Sequence, residues 1–181
     1  MDDKVYLRLV IDNVQIDGES TVSSHDRQDS IECFSFHSRT AFKRNGNSIS
    51  TLIRNIYKGR GRFKPWSEPV IIRKRIDRST PLLLKALYNS EPVNSAEFRF
   101  FRTTHGGGEE HYYTVLLERA FISGVRQASE AVYREAGVGQ DQYNVTGSSP
   151  LGQMEEVEFI FQTVTWTYVI DGRTYTEGRV L

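Results

Sequence analysis

Arg75-Ile76-Asp77-Arg78-Ser79-Thr80-Pro81-Leu82-Leu83-Leu84-Lys85-Ala86-Leu87 is the stretch on which the reading of this chain turns. A strand runs into it and one short helix runs out. Ser79 and Thr80 offer side-chain oxygens to the first free N–H groups of a helix, and Pro81 suits the first helical position, where no N–H is needed. Leu83, Leu84 and Leu87 then form a single apolar stripe. Nearly everything else reads as strand, so this helix stands alone in a β protein.

Working outward, Val5, Leu7, Leu9 and Ile11 alternate with Tyr6 and Arg8, the period of a half-buried strand. Asp17-Gly18 predicts a tight turn, with Gly18 at a position needing positive φ. Ile31, Cys33 and Ser35 alternate with Phe34 and Phe36 in a second strand, and Val70–Ile76 leads into the helix. Phe98 and Phe100 share a face within Ser95–Thr103, with Glu97 and Arg99 on the other. Thr104–Glu109 reads as a hairpin connection, and Tyr113, Val115 and Leu117 as its return strand. Glu156–Val169 is a long strand whose apolar phase flips near Gln162–Thr163: Val157, Phe159 and Phe161 hold one phase, and Val164, Trp166 and Tyr168 the other. A bulge or burial on both faces accounts for such a flip. Asp171-Gly172 closes a last hairpin. Arg126–Ala136 favours helix by composition, and Gly137–Pro150 reads as loop.

The chain has 181 residues, enough for one domain with a proper core, and is 38% hydrophobic and 12% aromatic with ten Phe and nine Tyr. Its formal net charge is zero, so no overall field draws it to nucleic acid or membrane. The neutral total hides a polarised distribution. From Arg39 to Lys64 lie eight basic residues and no acidic one: Arg39, Lys43, Arg44, Arg54, Lys58, Arg60, Arg62 and Lys64. Outside that segment 15 basic residues face 23 acidic ones, a net of −8. Ile49, Leu52, Ile53, Ile56 and Tyr57 recur at helix-like spacing inside it. Two readings stay open: an arm ordered alone or by a partner, or a long solvated loop. The expected organisation is one domain, 1–181, with a basic extended loop or arm at about 39–64. No apolar run reaches membrane-span length, so no membrane insertion is expected. Met1-Asp2-Asp3-Lys4 lacks the basic-then-apolar layout of a cleaved signal peptide. The expectation is a protein made in the cytoplasm that leaves the cell, if at all, without a cleaved signal.

Reactive groups do not assemble into a recognisable motif. Cys33, the single cysteine, lies in an apolar strand and reads as a small core hydrophobe. His105 and His111 flank Glu109 and Glu110, but at a hairpin tip without a third ligand cluster they read as a solvated turn. His105-Gly106-Gly107-Gly108 echoes an esterase oxyanion loop without the Gly-x-Ser-x-Gly elbow such a loop serves. No phosphate-binding or dinucleotide fingerprint occurs. The chain reads as a non-enzyme without cofactor or metal, a binding or building-block protein.

Four patches in order resemble the haemolysin-coregulated protein (Hcp) family, the tube subunit of bacterial type VI secretion systems. They are Ile16-Asp17-Gly18-Glu19-Ser20-Thr21 with Ile31–Phe36; Ile76–Leu87; Tyr112-Tyr113-Thr114-Val115-Leu116-Leu117-Glu118; and Glu155–Phe159 with Val164-Thr165-Trp166-Thr167-Tyr168. The resemblance implies a β-barrel built from two antiparallel sheets with one short helix on its side, a fold shared with contractile-phage tail tubes. It implies hexameric rings that stack into a tube, with sheath, spike and baseplate proteins as partners, effector cargo in the lumen, and expulsion into target cells. Arg39, Lys43, Arg44, Lys58, Arg60, Arg62, Phe161 and Trp166 are then the expected stacking or subunit contacts. Gly18, Pro81, Leu83, Leu84 and Leu87 are structural, the leucines plugging the barrel's side. Alternatives are the tail-tube protein of a phage-like contractile particle, a nucleic-acid-binding β domain using the basic arm, and a small secreted hydrolase using His105 or His111. The neutral net charge and the missing nucleophile argue against the last two.

Overall fold

The structure, a computed structural model, describes residues 4–41, 65–128 and 153–178. Alternating apolar residues build its walls. In β1 (Lys4–Ile11), Val5, Leu7, Leu9 and Ile11 are buried on one face. The chain turns into β2 (Val14–Ile16) through Asp12 and Asn13, both at positive φ (48° and 63°), a two-residue hairpin turn that matches strand twist. Then follow β3 (Ile31–His37), the short β4 (Thr40–Ala41) and β5 (Trp66–Ser67), and β6 (Val70–Arg75). Helix α1 (Thr80–Asn89) comes next, then β7 (Val93–Thr103), β8 (Glu109–Ala128), β9 (Met154–Tyr168) and β10 (Arg173–Gly178).

The ladder runs β8-β9-β6-β3-β1-β7 and returns to β8, so six antiparallel strands close into a barrel. Closure removes the edges that an open sheet exposes. On its other side β9 pairs with β6 as far as Phe159 and with β10 from Thr163 onward. The second half of β9 therefore exchanges β6 for β10 on that side while staying paired with β8 on the other, from Thr163–Glu118 to Tyr168–Tyr113. Leu7, Leu9, Ile31, Val70, Ile72, Phe98, Leu117, Val157 and Phe159 fill the interior. From α1, Leu83 and Ala86 join that cluster and Leu87 packs against it. Leu84, expected in the stripe, is half-buried outside the cluster, because a helical turn places Ala86 rather than Leu84 over the barrel.

Three strands depart from simple alternation. In β3 the register shifts between Cys33 and Ser35. Phe36 thereby turns to the core face, against Phe98 at 4.9 Å, and Phe34 points out beneath the Arg75 guanidinium at 4.9 Å. Beside Phe100 and Phe101 the register shift leaves Tyr112 of β8 as an extra residue, while Phe101 lies outside by ordinary alternation with Phe100 and is buried all the same. The flip in β9 is present and is shared by β8. Buried residues there switch phase from Val115 and Leu117 to Ala120 and Ile122 across Arg119, which takes φ 50°. The expected Arg126–Ala136 helix is corrected in its first three residues, which extend β8; residues 129–136 lie outside the described residues.

Gly18 also differs from expectation. The tight turn is Asp12–Asn13, not Asp17-Gly18, and the described glycines at positive φ are Gly107 and Gly172. Gly18 is needed for close approach. A Cβ there would lie 2.4 Å from Ser30 O and 2.6 Å from Ile31 Cα. The two backbone segments are tied by Gly18 N–H to Asp29 O at 2.7 Å and Ser20 N–H to Ser30 O at 3.2 Å. Gly18→Ala is expected to cost about 1–3 kcal/mol by overpacking, read as a lower midpoint in chemical denaturation. Unchanged stability would show that the Gly18 strand can move away freely.

Candidate functional site

The base of the barrel is held by charge. Lys74 sits opposite Glu155 on the β6–β9 ladder, and both side chains are fully buried. The Lys74 ammonium donates to Glu155 Oε1 at 2.8 Å, Asp77 Oδ1 at 2.8 Å and Arg75 O at 2.7 Å. Thr80 Oγ1 donates to the same Glu155 oxygen at 2.7 Å, and Gln127 of β8 donates to Glu155 Oε2 at 3.0 Å. Asp77 in turn accepts from Ser79 N–H at 2.9 Å and Ser79 Oγ at 2.5 Å. The start of α1 is thus stitched to three strands. Ser79 makes no side-chain cap bond into the helix: its hydroxyl turns back to Asp77, and Thr80 is spent on Glu155. Tertiary partners take the oxygens that local capping would have used.

The outer wall carries a second fastening. Arg27, 1% exposed, lies over the Tyr6 ring at 5.1 Å and the Phe101 ring at 4.4 Å, and its Nη1 is 2.7 Å from Glu109 Oε2. Lys4 reaches Glu109 Oε1 at 2.8 Å. These two cations, Lys4 first, hold the Glu109 carboxyl below its usual range. His111 stacks on Phe101 at 5.0 Å and meets Thr114 Oγ1 at 2.8 Å. Burial, and next the Arg99 charge, hold its imidazole below the usual value. Arg78, just before α1, donates to Gly18 O, and its backbone N–H to Glu19 at 3.2 Å, and pairs with Asp29 at 2.5 Å. The Gly18–Ser30 loop is fastened to the barrel at both ends.

The expected contact residues fall in three places. Arg39 is exposed and pairs with Glu68 at 2.8 Å beside the β4–β5 rungs Thr40–Ser67 and Ala41–Trp66. Both ends of the basic segment are tied together there. Lys43, Arg44, Lys58, Arg60 and Arg62 lie outside the described residues. Phe161 is half-buried against the core, as is Trp166, which also stacks on Tyr175 of β10 at 6.0 Å. All six residues of β10 are exposed. Cys33 is buried in the interior, with its thiol pushed up to about 12 by burial. His105 is exposed at the hairpin tip while His111 lies on the wall strand. Among the described residues, no group of three or more His, Cys, Asp and Glu is placed to hold a metal ion.

Arg27, Lys74 and Glu155 were not singled out from the sequence. The signals were present: a lysine two residues after Ile72 on the inward phase, and a glutamate two before Val157 on the inward phase. An ionisable residue on an apolar phase implies a buried partner.

The fold and these surfaces define a closed β-barrel with paired buried charges and an exposed hairpin face. The family model described as "Type VI secretion system effector, Hcp" matches residues 6–168. The chain belongs to this family. It is 33% identical over 105 residues to the "Major exported protein" of Pseudomonas aeruginosa, covering 58% of this chain and 55% of that protein's length. Among solved structures, Hcp1 of E. coli EAEC 042 superposes with a TM-score of 0.73 at 23% identity over 97% of both chains. The secreted protein Hcp3 of Pseudomonas aeruginosa does so with 0.68 at 20% identity, over 99% of this chain and 100% of that one.

Lys74→Met leaves Glu155 and Asp77 buried without their cation and is expected to cost about 3–5 kcal/mol in denaturant unfolding. Lys74→Met with Glu155→Leu should cost less than the sum of the two single variants; strict additivity would deny the coupling. Acidification has a defined sign at His111. The unfolded imidazole takes its proton near about pH 6.5, the folded one lower, so stability is full above that value and declines as pH falls through the folded value. The thermal midpoint should fall between pH 7 and pH 5, and His111→Phe should flatten that slope. The Glu109 contribution is lost only below about pH 4.3. An unchanged slope in the variant would remove His111 from the account.

Proposed function

We propose that this chain is the inner-tube subunit of a type VI secretion system, forming hexameric rings that stack and are expelled toward a target cell. The observation that carries this reading is the family match across 6–168 on a closed barrel. The fold agrees with the role. A subunit that closes a ring meets its neighbour through two unlike surfaces. The exposed β10 strand and the aromatic face of Trp166 and Tyr175 are one such surface. The basic segment, tied at its base by Arg39–Glu68 and set on a body of net −8, suits attraction between opposite faces of stacked rings. Sheath, spike and baseplate proteins are the outer partners in this reading, and small effectors the cargo of the lumen. The name of the exported relative supports secretion.

Native mass spectrometry with negative-stain imaging tests it: a six-fold ring is expected, and a stable monomer at high concentration would overturn the reading. Reversing charge at Arg60 and Arg62 is expected to weaken stacking and leave single rings intact. Tubes of normal length in that variant would free the basic segment of a stacking role.

A further inference from the structure

The strand registers place the turns of this molecule at two opposite ends. Lys4 pairs with Phe101, Thr103 with Glu109, and Tyr113 with Tyr168. The Thr104–Gly108 connection and the Val169–Gly172 tip therefore share one end. Ile11 pairs with both Val14 and Val93, so the Asp12–Asn13 turn and the end of α1 share the other. Each end carries an unexplained apolar feature. At the first, Val169 and Ile170 stand exposed on the hairpin tip, Ile170 by 51%. Apolar residues at a turn tip gain nothing from water. At the second, a groove of about 120 Å³ runs between β2 and α1. Ile11, Val14, Ile16 and Leu82 line it, with Val14 61% exposed, and Asp12, Lys85 and Glu91 form its rim. An engineered cavity of about 150 Å³ admits a benzene, so this space suits one branched aliphatic side chain.

We infer that the Val169–Ile170 tip of one copy seats in the β2–α1 groove of the next copy along the tube axis. A knob at one end and a hole at the opposite end make a heterologous contact, which propagates as an open stack when successive copies follow one another along an axis. Both ends carry both signs: Asp171 and Arg173 flank the tip, 3.1 Å apart, and Asp12 stands at the groove with Lys85 and Glu91, themselves paired at 3.0 Å. The inference rests on the tube reading for its axis and adds to the basic segment an apolar contact between rings.

Cysteine pairs test it. Cys33 does not compete, being buried with its thiol pushed up to about 12. Ile170→Cys and Val14→Cys are made singly and together and oxidised at high protein concentration. The double variant is expected to give a ladder of cross-linked chains, the equimolar mixture of single variants a dimer, and each single variant alone no cross-link. Dimers from one single variant alone would mean like-to-like docking and overturn the inference, as would a mixture without dimer. Ile170→Asp gives the second readout. It is expected to cut the fraction of protein in pelletable tubes about tenfold with ring mass unchanged. Loss of the ring itself would place the tip in the ring contact and also overturn the inference. Absence of a six-fold ring in the unmodified protein bears instead on the tube reading.

Discussion

The barrel depends on one rung of its ladder, where Lys74 faces Glu155 with both side chains out of water. Apolar strands pair in several registers, because a slip of two residues keeps the same residues inside. A buried charge removes that freedom. If β6 slipped by two against β9, Lys74 would carry Asp77 with it, but Glu155 would be left buried without its cation, at several kcal/mol. The pair itself adds little net stability, since burial costs each ion its hydration. Its contribution is choice of register. Through Asp77, Thr80 and Gln127 the same rung also settles where α1 begins and how β8 lies against β9.

Closure at one rung determines what is left open elsewhere. Six strands satisfy each other around the ring, and β9 is longer than the ring needs. Its second half stays paired with β8 and takes β10 on its other side, carrying the aromatic face beyond the β6 pairing. Phe98, Phe36, Phe100 and Tyr113 run in ring contact from the core toward that end, at 4.9, 5.1 and 5.4 Å in succession. Trp166 and Tyr175 continue the face onto the hairpin. β10 adds to β9 as an outer strand with every residue exposed, and a strand edge of this kind gains from being covered by a neighbour.

Periodicity made the strands legible. β1, the Phe98 face of β7, both late hairpins and the lone helix follow from alternation, turn residues and Pro81. The interior of β3 did not, because a bulge at Phe34 exchanges the faces of Ser35 and Phe36 and leaves no mark in composition. Gly18 was read as a turn glycine because local rules know only φ, whereas its constraint is the backbone of Ser30–Ile31 twelve residues away. Ser79 and Thr80 looked like caps because local rules cannot see Glu155 across the barrel. The family resemblance was legible for a physical reason. Three of its four patches meet in space: Gly18 and Glu19 on Arg78, and Asp77 and Thr80 around Lys74 with Glu155.

The two ends of the barrel differ because it is finished differently at each. At one end the charged junction and α1 close the interior and leave a shallow groove beside β2. At the other the aromatic face runs out onto a hairpin whose tip is apolar. A symmetric barrel would pair like ends and stop at two copies, whereas unlike ends permit repetition without limit. The physical asymmetry starts in sequence, with a lysine and a glutamate on inward phases at one end of their strands and aromatics on the inward phase at the other. Directionality in an assembled stack would then be inherited from the chain itself, with no need of a second protein to impose it.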